Sequence, residues 1–210
     1  MICMEFSIAT IIAIIPAGLL LYDAFGKRED LDDRGIFLYL ITGFILGIPV
    51  SFFFLILLSN ARDFIDLSIF LVLLFPFLNE LLKFIVFNRN RFIKNKNAVY
   101  FSFSFSVGIG AMFSLSLIYY YGRSYSPGIL DYIIFLIFSS IYVISNASTG
   151  ILIGEGIFGM KRKYHLINAI IVQILAFLFL IPYMWSMIIY STIGILIMMP
   201  IYIMARNYLK

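Results

Sequence analysis

The chain has 210 residues, 63% of them apolar and only 12% charged, with a mean hydropathy of +1.05. That excludes an ordinary soluble domain and predicts an all-α, polytopic transmembrane helical bundle forming one domain over residues 1–210. The formal charge of +4 does not point to nucleic acid, because the basic residues fall in short runs between apolar stretches, as in a protein whose partner is a lipid bilayer.

A crossing of a hydrocarbon core roughly 30 Å thick takes about 20 apolar residues. On that measure seven spans are predicted, at 6–25, 36–58, 67–87, 98–121, 131–159, 166–183 and 186–205. The first has no basic region before it and no good cleavage site after it, so it reads as a retained span rather than a signal peptide. The fifth is long enough to need tilt or a protruding end. The last two are separated by Pro182, Tyr183, Met184 and Trp185, whose aromatic pair suits an interfacial hairpin turn. In the fourth, the alternation "FSFSFS" at 101–106 has a strand-like period, but length and flanks favour a helix with small residues on several sides.

Twelve of the fifteen basic residues lie in the odd-numbered connections and the C-terminal tail, whereas the other side carries only Arg62 and Arg123. The positive-inside rule therefore places the N-terminus outside and the C-terminus in the cytoplasm of a multi-pass cell-membrane protein. The remaining basic residue, Lys83, stands inside a span.

Residues that do not suit hydrocarbon are the candidate site. In "FPFLNELLKFIVF" at 75–87, Glu80 lies seven residues from the end of the third span, about 10 Å deep at 1.5 Å per residue, and Lys83 shares its helix face. One reading is an internal salt bridge that lowers the insertion cost of both groups. Another is that Glu80 acts on water, an ion or a substrate, with Lys83 setting its charge state, and a third is a role mainly in helix packing. Glu155, in "GILIGEGIFGMKRK", has a comparable depth, so the two carboxylates could meet, or Glu155 could pair at a helix end with the basic loop that follows. Asn146, Gly150 and Gly154 recur at four-residue spacing, the pattern of close helix packing, with Asn146 seeking a hydrogen-bond partner across the contact. Asp23 reads as a boundary residue and His165, after "KRKY", as a surface residue. With one cysteine, Cys3, and one histidine, the chain lacks the usual zinc ligands, and no cofactor or metal is expected. Serines such as Ser102, Ser104, Ser106, Ser114 and Ser116 are plentiful, but a serine nucleophile needs a base within reach, and only Lys83 and the two glutamates are candidates.

The order of "NELLK" at 79–83, "VGIGAMFSLSLIYY" at 107–120 and "NASTGILIGEGIFG" at 146–159 resembles the PrsW family of intramembrane proteases, over about residues 67–185. The resemblance implies a Glu-Glu-x-x-Lys motif in one span, Gly-x-Gly-Phe-Ala-x-x-Glu-Asn in the next, and histidines in later ones. Glu80, Lys83, Gly108 and Gly110 match; Asn79, Leu115 and Ser116 stand where the family has acids and an asparagine. The histidine positions fall at Asn146 or Tyr142, and the last helix offers Gln173. A degenerate member with the family's fold is therefore expected, a non-catalytic binder of a membrane partner or lipid, possible partners being a transmembrane protein or peptide. Two alternatives stand beside it: an intramembrane glutamate protease using Glu80 as general base, helped by Glu155 or Asn146, and an ion or solute carrier.

Overall fold

The computed structural model describes residues 6–26, 31–61, 65–122, 127–179 and 188–209, with backbone alone for 58–61, 65–72 and 188–192. Among these residues there are seven α-helices and no strand. They are α1 (Phe6–Phe25), α2 (Asp33–Ala61), α3 (Ile65–Phe87), α4 (Asn97–Gly122), α5 (Ile129–Phe158), α6 (Arg162–Leu178) and α7 (Ile188–Arg206). Four of them (α1, α2 from Asp33 to Leu57, α4 and α5) are long and apolar enough to cross a membrane. The predicted turn at 182–185 lies outside the described residues.

The seven predicted apolar stretches all become helix among the described residues, but α2 runs three residues past the predicted 36–58 at each end, and α6 begins at Arg162, four residues before 166, and ends at Leu178, five before 183. At the start of α6 the backbone ladder continues into the charged residues that hydropathy excludes. Its entry is set by Met160, whose φ of 62° turns the chain sharply after the end of α5. Prolines stand inside α1, α2, α3 and α7, at Pro16, Pro49, Pro76 and Pro200. Such breakers are tolerated in apolar surroundings where neighbouring helices satisfy the freed carbonyls.

Helix α4 is the axis of the bundle, and "VGIGA" explains why. In an α-helix two residues are about 200° apart, so Gly108 and Gly110 face opposite neighbours. A Cβ on Gly108 would meet the Leu40 carbonyl oxygen of α2 at 2.5 Å, and one on Gly110 the Cβ of Asn146 on α5 at 3.0 Å. The neighbours reciprocate. Gly43 of α2 lies against the Phe105 carbonyl, while Gly150 and Gly154 of α5 lie against Ser106 and Val99. The whole 101–106 segment is buried in a helix as a result.

Contacts fix the relative direction of two helix pairs. Phe6 meets Tyr119 while Phe25 meets Tyr100, so α1 and α4 are antiparallel. Arg162 bonds Asn88 while Phe177 packs on Phe75, so α3 and α6 are antiparallel too. At one end Tyr100 donates to the Leu209 carbonyl, and Arg206 pairs with Asp23 at 2.7 Å. Asp23 is thus a boundary residue that also ties α1 to α7, helped by the Tyr202 hydroxyl at 3.1 Å.

The polarity of the bundle is inverted relative to a soluble protein. Ile11, Leu19, Leu38, Phe52, Ile171 and Leu196 face outward, whereas Ser102, Ser104, Ser106, Ser148, Glu80 and Lys83 are fully buried. Water would reward the opposite arrangement; a surrounding hydrocarbon rewards this one. Length, composition and surface thus agree on an integral membrane protein.

Candidate functional site

Helix α3 carries Asn79, Glu80 and Lys83 into the bundle, where α5 supplies Asn146 and Thr149. Glu80 and Lys83 are one turn apart, and Lys83 Nζ reaches Glu80 Oε1 at 2.6 Å with both side chains 0% exposed. The same ammonium donates to Thr149 Oγ1 at 2.8 Å, and Thr149 Oγ1 lies 3.2 Å from Glu80 Oε1. Thr149 Oγ1 is also 3.1 Å from the Asn146 carbonyl of its own helix. Asn79 extends the network by donating from Nδ2 to Asn146 Oδ1 at 3.1 Å, and Asn146 Nδ2 returns to the Tyr142 carbonyl at 3.0 Å. A weaker contact of 3.4 Å joins Asn79 Nδ2 to Glu80 Oε1.

Two aromatic clusters enclose this network. On the side away from the basic loops, Phe54, Phe75, Phe113, Tyr142 and Phe177 bring five helices together at centroid distances of 4.7 to 5.8 Å. On the other side Phe87 packs on Phe92 at 5.1 Å and on Phe105 at 5.4 Å. A charge pair so enclosed interacts far more strongly than it would in water, and either member alone would be strongly disfavoured.

Of the four predicted site residues, the structure brings Glu80, Lys83 and Asn146 together. Glu155 does not join them, and the first of its two readings, a meeting with Glu80, is corrected. It is nine residues beyond Asn146, two and a half helical turns, which places it on the opposite face of α5 and about 13 Å further along the axis. Glu155 instead lines a separate cavity with Lys96, Tyr100 and Tyr208. His165 is also corrected: only 5% exposed, it packs under Gly156 and between the rings of Tyr164 and Tyr208. The expectation of a surface residue followed from its basic neighbours, but the inward face of α6 includes it with Ala169, Val172 and Gln173.

Sequence reasoning missed Thr149. The signal was present, since a threonine three residues after Asn146 in an apolar helix shares its face. Gln173 is 0% exposed, and neither end of its amide has a protein partner among the described residues. The antiparallel register of α3 and α6 sets it level with Asn79; Gly156 against His165 and Tyr142 against Phe177 set it level with Asn146. Glu80 Oε2, Asn79 Oδ1 and the Tyr142 hydroxyl likewise have no partner among the described residues. Leu115 and Ser116 line a cavity of about 400 Å³ bounded by α1, α2 and α4, rather than the Glu80 network.

Comparison with protein families, with curated proteins and with solved structures finds no match.

Proposed function

We propose that this is a seven-crossing protein of the cell membrane, with the N-terminus outside and the C-terminus in the cytoplasm, that binds a lipid or transmembrane partner and does not hydrolyse peptides. On this reading it is a PrsW-like bundle in which the acid–lysine turn has become a structural clamp between α3 and α5. The antiparallel pairs α1 with α4 and α3 with α6 support an alternating, odd-numbered crossing. The gathering of the 88–97 connection, the 159–162 connection and the C-terminus at one end supports the orientation.

One observation carries the non-catalytic reading: the Glu80 oxygen nearest any partner is taken up by Lys83, Thr149 and Asn79, in a network that among the described residues holds no second acid and no histidine. Peptide hydrolysis requires a base that takes a proton from water and an acid that protonates the departing amine. Lys83 is Glu80's counter-ion and could give up a proton only by leaving that carboxylate unpaired. The side-chain amides of Asn79, Asn146 and Gln173 donate hydrogen bonds but are far too weakly acidic to protonate a leaving amine.

A second reading, the intramembrane glutamate protease with Glu80 as general base, draws on the unpartnered polar atoms at that level, Glu80 Oε2, the Tyr142 hydroxyl and the Gln173 amide. The two readings separate on purified protein in lipid nanodiscs offered a panel of transmembrane peptides, with products read by mass spectrometry. The proposal expects no cleavage above that of Glu80→Gln. Cleavage by the wild type that disappears in a folded Glu80→Gln variant would establish the protease instead.

A further inference from the structure

At the end of the bundle that carries the basic connections, Lys96, Val99, Tyr100, Glu155, Phe158 and Tyr208 line a half-open cavity of about 250 Å³. Its walls are fixed. Gly154 packs on Val99 and joins α5 to α4, the Tyr100 hydroxyl donates to the Leu209 carbonyl at 2.6 Å, and Tyr208 meets the His165 ring at 5.9 Å. The cavity holds one acid and one base. Neither is paired with the other, and although Lys161 attracts Glu155 from longer range, neither makes an ion pair among the described residues, where the pairs formed are Glu80 with Lys83 and Asp23 with Arg206. Two opposite charges that face one small space without meeting each other present a complement to a ligand bearing both signs.

We propose that this cavity binds a zwitterion in which a primary ammonium is joined by a short carbon arm to a phosphate, the headgroup of phosphatidylethanolamine or its soluble glycerophosphoethanolamine counterpart. Glu155 accepts from the ammonium. The rings of Tyr100 and Tyr208 add the attraction of an aromatic face for a cation. Lys96, exposed at the start of α4, takes the phosphate as a point charge on a flexible stem. A headgroup suits the location because α4 begins and α5 ends here, where spanning helices reach the polar layer of a bilayer. The volume falls below that of pockets for drug-sized ligands, and the mixed charge disfavours a purely anionic headgroup, whose phosphate would lie near Glu155. This inference deepens the reading of the chain as a lipid-binding membrane protein and rests on it for the placement of this end at the membrane surface.

The test uses delipidated full-length protein in mild detergent, titrated with short-chain phosphatidylethanolamine, phosphatidylcholine and phosphatidylglycerol and with soluble glycerophosphoethanolamine. Native mass spectrometry counts bound molecules. The ethanolamine lipid is expected to bind with one molecule per chain and at least tenfold more tightly than the glycerol lipid. Glu155→Gln removes that preference, while Lys96→Gln, at an exposed position tolerant of change, weakens both lipids. Equal binding of glycerophosphoethanolamine and the lipid assigns the site to a free zwitterion; tighter binding of the lipid assigns it to the membrane, and either supports the ammonium–phosphate chemistry. Equal affinity for all three lipids, or a preference that survives Glu155→Gln, overturns the proposal. That failure is distinct from failure of the non-catalytic reading, which would show as Glu80-dependent peptide cleavage with lipid selectivity intact.

Discussion

Lys83→Met is the most informative single perturbation of the bundle. It removes an ammonium that makes two short contacts, 2.6 Å to Glu80 and 2.8 Å to Thr149, and leaves the Glu80 carboxylate enclosed between two aromatic clusters. Each hydrogen bond to a charged group contributes roughly 1.5 to 3 kcal/mol, and breaking a buried ion pair by deleting one partner costs about 3 to 5 kcal/mol. The single variant should therefore lose about 3 to 5 kcal/mol. The double variant Glu80→Leu/Lys83→Met removes both charges and should regain most of that loss, because an apolar pair of similar volume avoids the desolvation cost altogether. Reversible unfolding of the detergent-solubilised protein gives all four corners of the cycle. A cost for Lys83→Met below about 1 kcal/mol, the range of a solvent-screened pair, or additivity of the two substitutions would contradict a buried, coupled ion pair.

Other consequences can be checked with the same material. Thr149→Val should cost about 1 to 3 kcal/mol by withdrawing the hydroxyl between Lys83 and Glu80, and Thr149→Ser should restore it, as read by unfolding. Gln173→Leu should leave stability unchanged or raise it by about 1 to 3 kcal/mol, since neither end of the buried amide has a protein partner among the described residues; a large loss would mean that the amide is engaged. Gly43→Ala should push α2 away from the Phe105 carbonyl and lower the melting temperature. Gly18→Ala, with nothing within 4 Å of its new Cβ, should stabilise α1 by roughly 0.5 to 1 kcal/mol.

Much of the fold was legible because a membrane imposes few choices: an apolar run near the required length, bounded by charge, becomes a helix. The limits of α3 and α4 follow in this way. The start of α6 did not, since hydropathy reports where hydrocarbon begins and hydrogen bonding continues past that point, through Arg162 and Lys163. The Glu80–Lys83 contact was readable from helical spacing alone. Glu155 was misplaced in both depth and rotation, because distances to the span ends were compared without the register of α3 on α5; counting nine residues from Asn146 puts it about 13 Å further along and on the far side of α5. The central place of α4 depended on Gly108 and Gly110 facing different helices, which requires knowing both neighbours. The pairing of Asn79 with Asn146 likewise needed the lateral arrangement of α3 and α5, on which a single sequence is silent.

Thiol labelling at Asn146 measures whether the polar network is sealed from water. With the native thiol removed by Cys3→Ser, Asn146→Cys places a reporter beside Asn79 and the Glu80–Lys83 pair, and Lys163→Cys provides an exposed control. A charged, membrane-impermeant methanethiosulfonate reagent is predicted to label position 163 in the folded protein and position 146 only after denaturation. Labelling of position 146 in the folded bundle would mean that a water-filled path reaches Glu80, and the structural clamp would give way to an active site.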